Sequence, residues 1–240
     1  MAVRAFSVLN VRIGSRPKSD LTARARILDA AIEVFAEQGS AASVRTIAAA
    51  ADVSPALVTH HFGSKDALKA ECDQRVLDTY TEFKMAGIAN PAASMAAFEQ
   101  TGQTGQIAIL GGYMLRAFLD GGATAQEFYR RLVAQMTEVM NVAATQGMVR
   151  PVCTDEAHMR YLAASTLGFM LVQFVVDPPG STKDFSRHLM ADPRVLDAMI
   201  DVLTHGVFEN DQVLTAYREA NPGLQPSSPE TVIDDHRGRR

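Results

Sequence analysis

Apolar residues recur at helical spacing through most of the chain, and no stretch alternates long enough to make a credible strand. From Asp20 to Gln38, residues Ile27, Leu28, Ala31, Val34 and Phe35 fall on one face. Ser19 or Asp20 offers the cap of this helix and Gly39 its stop. Ser43 opens a short second helix with Val44, Ile47, Ala48 and Ala51 inward, and Asp52 marks the turn that follows. Ser54 caps a third helix whose first turn holds Pro55, where the missing N–H costs nothing. Gly63 ends it, and Ser64 caps a fourth that continues through Leu68, Cys72, Val76, Leu77 and Tyr80.

The remaining pattern is also helical. Short segments are expected at Pro91 to Thr101 and Gln103 to Asp120, before the breaking pair Gly121 and Gly122. A long helix from Ala123 to Thr145 carries Phe128, Leu132, Met136, Val139 and Met140 on its apolar side, and Arg150-Pro151 ends that segment. Asp155 to Val176 is the most hydrophobic helix, apolar nearly all round. Pro178-Pro179-Gly180 opens an irregular connection, Pro193 to Phe208 is amphipathic, and a last helix is expected from Asp211 to Ala220. The fold class is therefore all-α. Residues 1–19, with four basic side chains and no sustained period, read as a flexible basic arm. From Asn221 onward the proline-spaced polar tail reads as disordered.

Two short helices joined by a tight turn behind a longer support helix describe a helix-turn-helix unit. In the third helix Val58 and Phe62 form the inward stripe. Ala56 and His60 face the other way, flanked by Leu57 and Thr59, a set placed to enter a major groove.

Composition narrows the alternatives. The chain has 240 residues, 47% hydrophobic and 21% charged, with a net charge of -4. A chain of this size builds a core without staples. The charge is uneven: residues 1–65 hold 8 Lys and Arg against 5 Asp and Glu, a local +3, and the remainder carries −7. That is the profile of a polyanion-facing end on an acidic body. Cys72 and Cys153 are too few for a disulfide framework or a zinc site, which fits a reducing cytoplasm. No bilayer-spanning run is evident, since the run from Leu167 to Val176 stops at Asp177. Arg4, Asn10 and Arg12 break up any signal-peptide apolar region.

The stretch from Thr46 to Leu68, TIAAAADVSPALVTHHFGSKDAL, resembles the DNA-binding signature of TetR-family transcriptional regulators. Thr46-Ile47-Ala48, Val53-Ser54, His61-Phe62 and Ser64-Lys65-Asp66 before Leu68 carry the match, and Ile27, Ala30, Ala31, Phe35 and Gly39 match the segment preceding it. The resemblance covers about a quarter of the chain. It departs from the family at two positions. Asp52 stands where the turn usually has Gly, and Asp tolerates a left-handed conformation. Thr59 stands where a phosphate-contacting Tyr is common.

The resemblance implies DNA contacts from Arg45, Thr46, His61 and Lys65, and from the head of the third helix at Ser54 and Pro55. The chemistry agrees. Lys65 at a helix N-terminus offers a charge beside free N–H groups, Arg45 suits phosphate or guanine, and Thr59 can donate to phosphate at short reach. His60 suits a base edge, and Leu57 or Ala56 a thymine methyl.

The resemblance further implies a homodimer through the helices at 155–176 and 193–208, an inverted-repeat operator on double-stranded DNA, and a small-molecule effector. Phe98, Tyr113, Met114, Phe118, Phe128, Met136, Met140, Phe169 and Gln173 are the candidate effector lining, and each also fits ordinary core. The limited charge there favours an apolar or amphipathic compound. The expected organisation is an arm at 1–19, a DNA-binding domain at 20–65, a ligand and dimerisation domain at 66–220, and a tail at 221–240. Repression is the commoner behaviour of such regulators. The run VSPALVTHHFGSKDAL resembles actinobacterial members and brings in control of an efflux transporter.

An enzyme is not expected. Gly102 and Gly105 follow no strand, the adjacent His60 and His61 diverge by about 100° on a helix, and Glu33/Glu37 and Asp155/Glu156 read as solvated faces. No cofactor and no metal are implied. Two other readings stay open: a helix-turn-helix protein without ligand response, and a protein-binding adaptor on the same fold.

Overall fold

The computed structural model describes residues 22–90, 106–177 and 193–221. Among these the structure is all α, with no strand. In chain order the helices are α1 (Ala23–Gln38), α2 (Val44–Ala50), α3 (Pro55–Phe62), α4 (Lys65–Ala89), α5 (Gln106–Leu119), α6 (Gly122–Thr145), α7 (Glu156–Val176), α8 (Pro193–His205) and α9 (Gln212–Ala220). Short 3₁₀ turns follow α1 at Gly39–Ala41 and precede α7 at Pro151–Cys153. The arm at 1–19, the helix expected from Pro91 to Thr101, the connection after Asp177, and the tail beyond Asn221 lie outside the described residues.

Side-chain caps set the helix starts. Thr22, not Ser19 or Asp20, caps α1, its Oγ1 accepting from the Ala25 N–H at 3.3 Å. Ser43, Ser54, Ser64 and Asp155 each accept from an N–H three residues on. A hydroxyl or carboxylate at such a position satisfies a donor the helix cannot. α4 runs on through Tyr80 to Ala89. α6 begins at Gly122 rather than Ala123, and α8 stops at His205 rather than Phe208. Gly206, at φ 81°, breaks the last of these.

One continuous core joins the N-terminal three helices to the rest, running from Val58 and Phe62 in α3 to Leu167 in α7. α1 lies chiefly against α5 and also touches α2, α3 and α4, while α6 packs between α4 and α7. Ile27, Ile47, Leu68, Leu77 and Met159 are fully buried in it. Each such side chain contributes about 1.5–3 kcal/mol relative to exposure. The small helical head is thus not a free module. It is built on the same apolar mass as the body.

Candidate nucleic-acid interface

The α2–α3 unit is held by its own short-range bonds. Val53 N–H donates to the Ala48 carbonyl at 3.0 Å and Asp52 N–H to the Ala49 carbonyl at 3.2 Å, which closes α2. Asp52 bears the strain of that closure: at φ 55° it is the one non-glycine with positive φ among the described residues. Asp is among the few side chains that accept this region.

Val58 and Phe62 anchor α3 in the core, as the spacing predicts. The opposite face shows Ser54, Pro55, Ala56, Thr59 and His60 to solvent. Leu57 is half-buried and packs against the core, which leaves only part of it for a base. Thr59 Oγ1 donates back to the Pro55 carbonyl at 3.3 Å, so it must rotate away before it can serve a phosphate. His61, also half-buried, leans edge-on to Phe62, with ring centroids 6.4 Å apart, and His60 stands edge-on to it at 5.4 Å.

At the start of α2, Arg45 is exposed with no ionic partner among the described residues. Thr46 shares its hydroxyl with Ser43 Oγ at 2.9 Å. Lys65 differs from a free surface cation. Its Nζ donates to the carbonyls of Ser40 at 2.6 Å and Ala42 at 3.2 Å. An ammonium has three donors, so one stays available to a phosphate.

Two polar contacts fasten this head to the body and another braces α4 against α5 beneath it, and sequence reasoning missed all three. Arg24 makes a two-pronged pair with Glu71 at 2.7 and 2.6 Å, and its guanidinium lies 4.7 Å from the Phe62 ring centroid. Deeper, Lys69 donates to Asp73 Oδ1 at 2.6 Å, and the Tyr113 hydroxyl donates to the same oxygen at 2.7 Å. Both charged residues are buried. Burial, reinforced by the Asp73 carboxylate, pushes the Tyr113 hydroxyl far above the usual phenol range. Third, Asp120 accepts from the Ser40 N–H at 2.8 Å. The Lys69/Asp73 pair had one available signal: an i,i+4 charge pair set among Leu68, Cys72 and Val76, which belong to the apolar stripe.

The candidate effector residues differ in exposure. Tyr113, Met114, Phe128 and Met136 are buried members of the core, with Met140 packed against them. Phe118 is 42% exposed and stands edge-on to Tyr129, with ring centroids 5.8 Å apart. Phe169 and Gln173 on α7 are half-buried. Phe98 lies outside the described residues. Among the described residues no group of three His, Cys, Asp or Glu is placed to hold a metal.

Comparison with known proteins matches this architecture at both ends. Residues 27–72 fit the model for bacterial regulatory proteins of the tetR family, and residues 106–209 fit the tetracyclin repressor-like C-terminal domain. The chain is 33% identical over 209 residues to the HTH-type transcriptional regulatory protein RaaS of Mycobacterium tuberculosis, spanning 85% of this chain and 96% of that protein. The chain belongs to the TetR family. It is therefore a transcriptional regulator with a helix-turn-helix DNA-binding domain, and not an enzyme. Among solved structures it is similar to SmeT, the repressor of the Stenotrophomonas maltophilia multidrug efflux pump SmeDEF. That likeness has a TM-score of 0.48 and 22% identity, over 89% of this chain and 98% of that one. It is also similar to GusR of Salmonella enterica, with a TM-score of 0.42 and 24% identity, over 75% and 94%. The family model for the DNA-binding domain runs past α3 to residue 72, so it takes in the first turns of α4 and with them Lys65 and Lys69.

Proposed function

We propose that this TetR-family regulator is a homodimeric repressor that reads an inverted-repeat operator with α3 and is released by a small apolar or amphipathic effector. The observation that carries the DNA reading is the division of α3. Val58 and Phe62 lock one side into the core while Ala56, Thr59 and His60 stand in solvent on the other. A helix fixed on one side and bare on the other can lie in a major groove without refolding. In this reading Arg45, Thr46, Ser54, Pro55, Thr59, His61 and the third donor of Lys65 position the head on phosphates. Ala56, Leu57 and His60 meet base edges.

The homodimer rests on apolar surface left bare on α7 and α8. Met159, Ala163, Leu167 and Met170 of α7 are buried, yet Tyr161, Val172, Val175 and Val176 on other faces are more than half exposed. Every described side chain of α8 is exposed, including Val195, Met199, Ile200 and Leu203. Apolar side chains left bare along two helices mark a candidate association site. α7 is also long and apolar enough, by length and composition, to cross a bilayer. Its buried edge in the bundle makes a second protein copy the better partner. Two heads about 34 Å apart then address two half-sites.

The division into a DNA-binding domain at 20–65 and a ligand and dimerisation domain at 66–220, flanked by the arm at 1–19 and the tail at 221–240, belongs to the same proposal. So does an effector site around Met140, Phe169 and Gln173, where side chains are only half-buried. The effector acts by preferring a dimer whose heads are wrongly spaced, with a coupling of about 1–3 kcal/mol. Control of an efflux transporter and a cytoplasmic location follow from the resemblance. The test is gel mobility of the promoter of its own gene with purified dimer, followed by a compound screen for release. Failure to shift that duplex at low salt refutes the operator reading. A shifted complex that no compound releases leaves a DNA binder without ligand response.

A further inference from the structure

The 3₁₀ turn between α1 and α2 is gripped from two sides by opposite charges. On one side Asp120, directly after α5, takes the Ser40 N–H on Oδ2 at 2.8 Å. On the other side the Ser40 carbonyl takes the Lys65 ammonium at 2.6 Å, with the Ala42 carbonyl joining at 3.2 Å. Residue 40 is thus polarised between a carboxylate and an ammonium, each meeting the main-chain group it favours. Gly39 makes room for this. It has φ +66°, and a Cβ built on it would stand 2.7 Å from Asp120 Oδ1. The approach of the carboxylate therefore needs a residue without a side chain. Lys65 is the first residue of α4 and is separated from α3 only by Gly63 and Ser64, so it shares the rigid corner that carries the reading helix.

We propose that Asp120 is a positioning residue for DNA binding: it pins the α1–α2 turn to the end of α5 and, through that turn's carbonyls, fixes Lys65 and the stance of α2–α3. Movement at the end of α5 then reaches the head without passing along the length of α4. The proposal rests on the reading of α2–α3 as the DNA face, and the experiment separates the two.

Fluorescence anisotropy is measured for the full-length dimer on two duplexes, one from the promoter of its own gene and one of random sequence. The proteins are wild type, Asp120→Ala, Asp120→Asn, Lys65→Met and the Asp120→Ala/Lys65→Met double variant. Asp120→Ala weakens binding to the promoter duplex about five- to tenfold, as the loss of a charge-assisted bond predicts. It leaves the random duplex within about twofold, since no positive charge that faces phosphate is removed. Asp120→Asn keeps an acceptor and restores most of the affinity. Adding Asp120→Ala to Lys65→Met costs little more than Lys65→Met alone, because the two act through one turn. Amide exchange at Ser40 rises in Asp120→Ala and stays slow in Asp120→Asn. Wild-type affinity in Asp120→Ala, multiplicative losses in the double variant, or unchanged Ser40 exchange overturns the proposal while leaving the DNA reading intact. Wild type that ignores both duplexes overturns the two together.

Discussion

Replacing Asp73 by Ala is the sharpest probe of how α4 is joined to α5 beneath the head. Lys69 and Asp73 keep only 8% and 7% of their surface, and their charged atoms sit 2.6 Å apart. The ammonium also lies 4.7 Å from the Tyr113 ring centroid and 5.8 Å from that of Phe35. Removing the carboxylate strands a buried cation and deprives the Tyr113 hydroxyl of its acceptor. Breaking one side of a buried pair costs about 3–5 kcal/mol. For a chain of this length, that lowers the melting temperature by about 10 °C. Replacing both partners, as Lys69→Met with Asp73→Leu, removes the stranded charge as well and brings stability to within about 1.5 kcal/mol of wild type. The hydroxyl of Tyr113 would then keep only the Lys69 carbonyl at 3.5 Å, so the comparison is repeated with Tyr113→Phe. Urea unfolding at one fixed protein concentration measures all of these, since a dimer's midpoint moves with concentration. If the single and paired replacements lose the same stability, the cluster is held by packing and the charge argument is wrong.

Stability should fall in alkali. Burial raises the Cys72 thiol, pushes the Tyr80 hydroxyl up to about 12, and raises Tyr113 further with help from Asp73. The folded chain keeps these protons where the unfolded chain, titrating from 9.0 and 10.0, sheds them. Stability is therefore complete below about pH 9 and drops above it, and Tyr113→Phe flattens the drop in urea midpoints taken between pH 8 and 11. Val172→Asp places a charge on bare apolar surface of α7 and should yield a folded monomer by sedimentation, with helicity retained. A dimer of undiminished affinity would remove α7 from the interface. His60→Ala should change which promoter positions matter while leaving the salt slope alone. Lys65→Ala should weaken all duplexes and lower the salt slope by up to about one, measured by anisotropy from about 50 to 200 mM salt.

Much of the head could be read from residues alone. Serine at 43, 54 and 64, proline at 55 and glycine at 63 act within one helical turn, and each does in the structure what its chemistry dictates locally. Asp52 likewise adopts the left-handed conformation its position demands. Ser19, Asp20 and Thr22 are all able caps, so the residues alone leave the start of α1 open, and Thr22 takes it. The contacts joining head to body were illegible for a different reason. Asp120 and Ser40 are 80 residues apart, and nothing local marks either. The size and apolarity of Tyr113 and Phe128 suit an effector lining and a packed core equally, and both side chains are buried in the core.

Lys65 is bound to the α1–α2 turn through main-chain oxygens, not through the side chains of Ser40 and Ala42. A carbonyl is supplied by every amino acid. Exchange of Ser40 for another residue therefore leaves the tether in place, whereas inserting or deleting a single residue between Gly39 and Ser43 would carry the acceptors out of reach. Related chains that keep this arrangement should vary freely at the exposed positions 40 and 41, proline at 40 apart, and hardly at all in the length of the stretch.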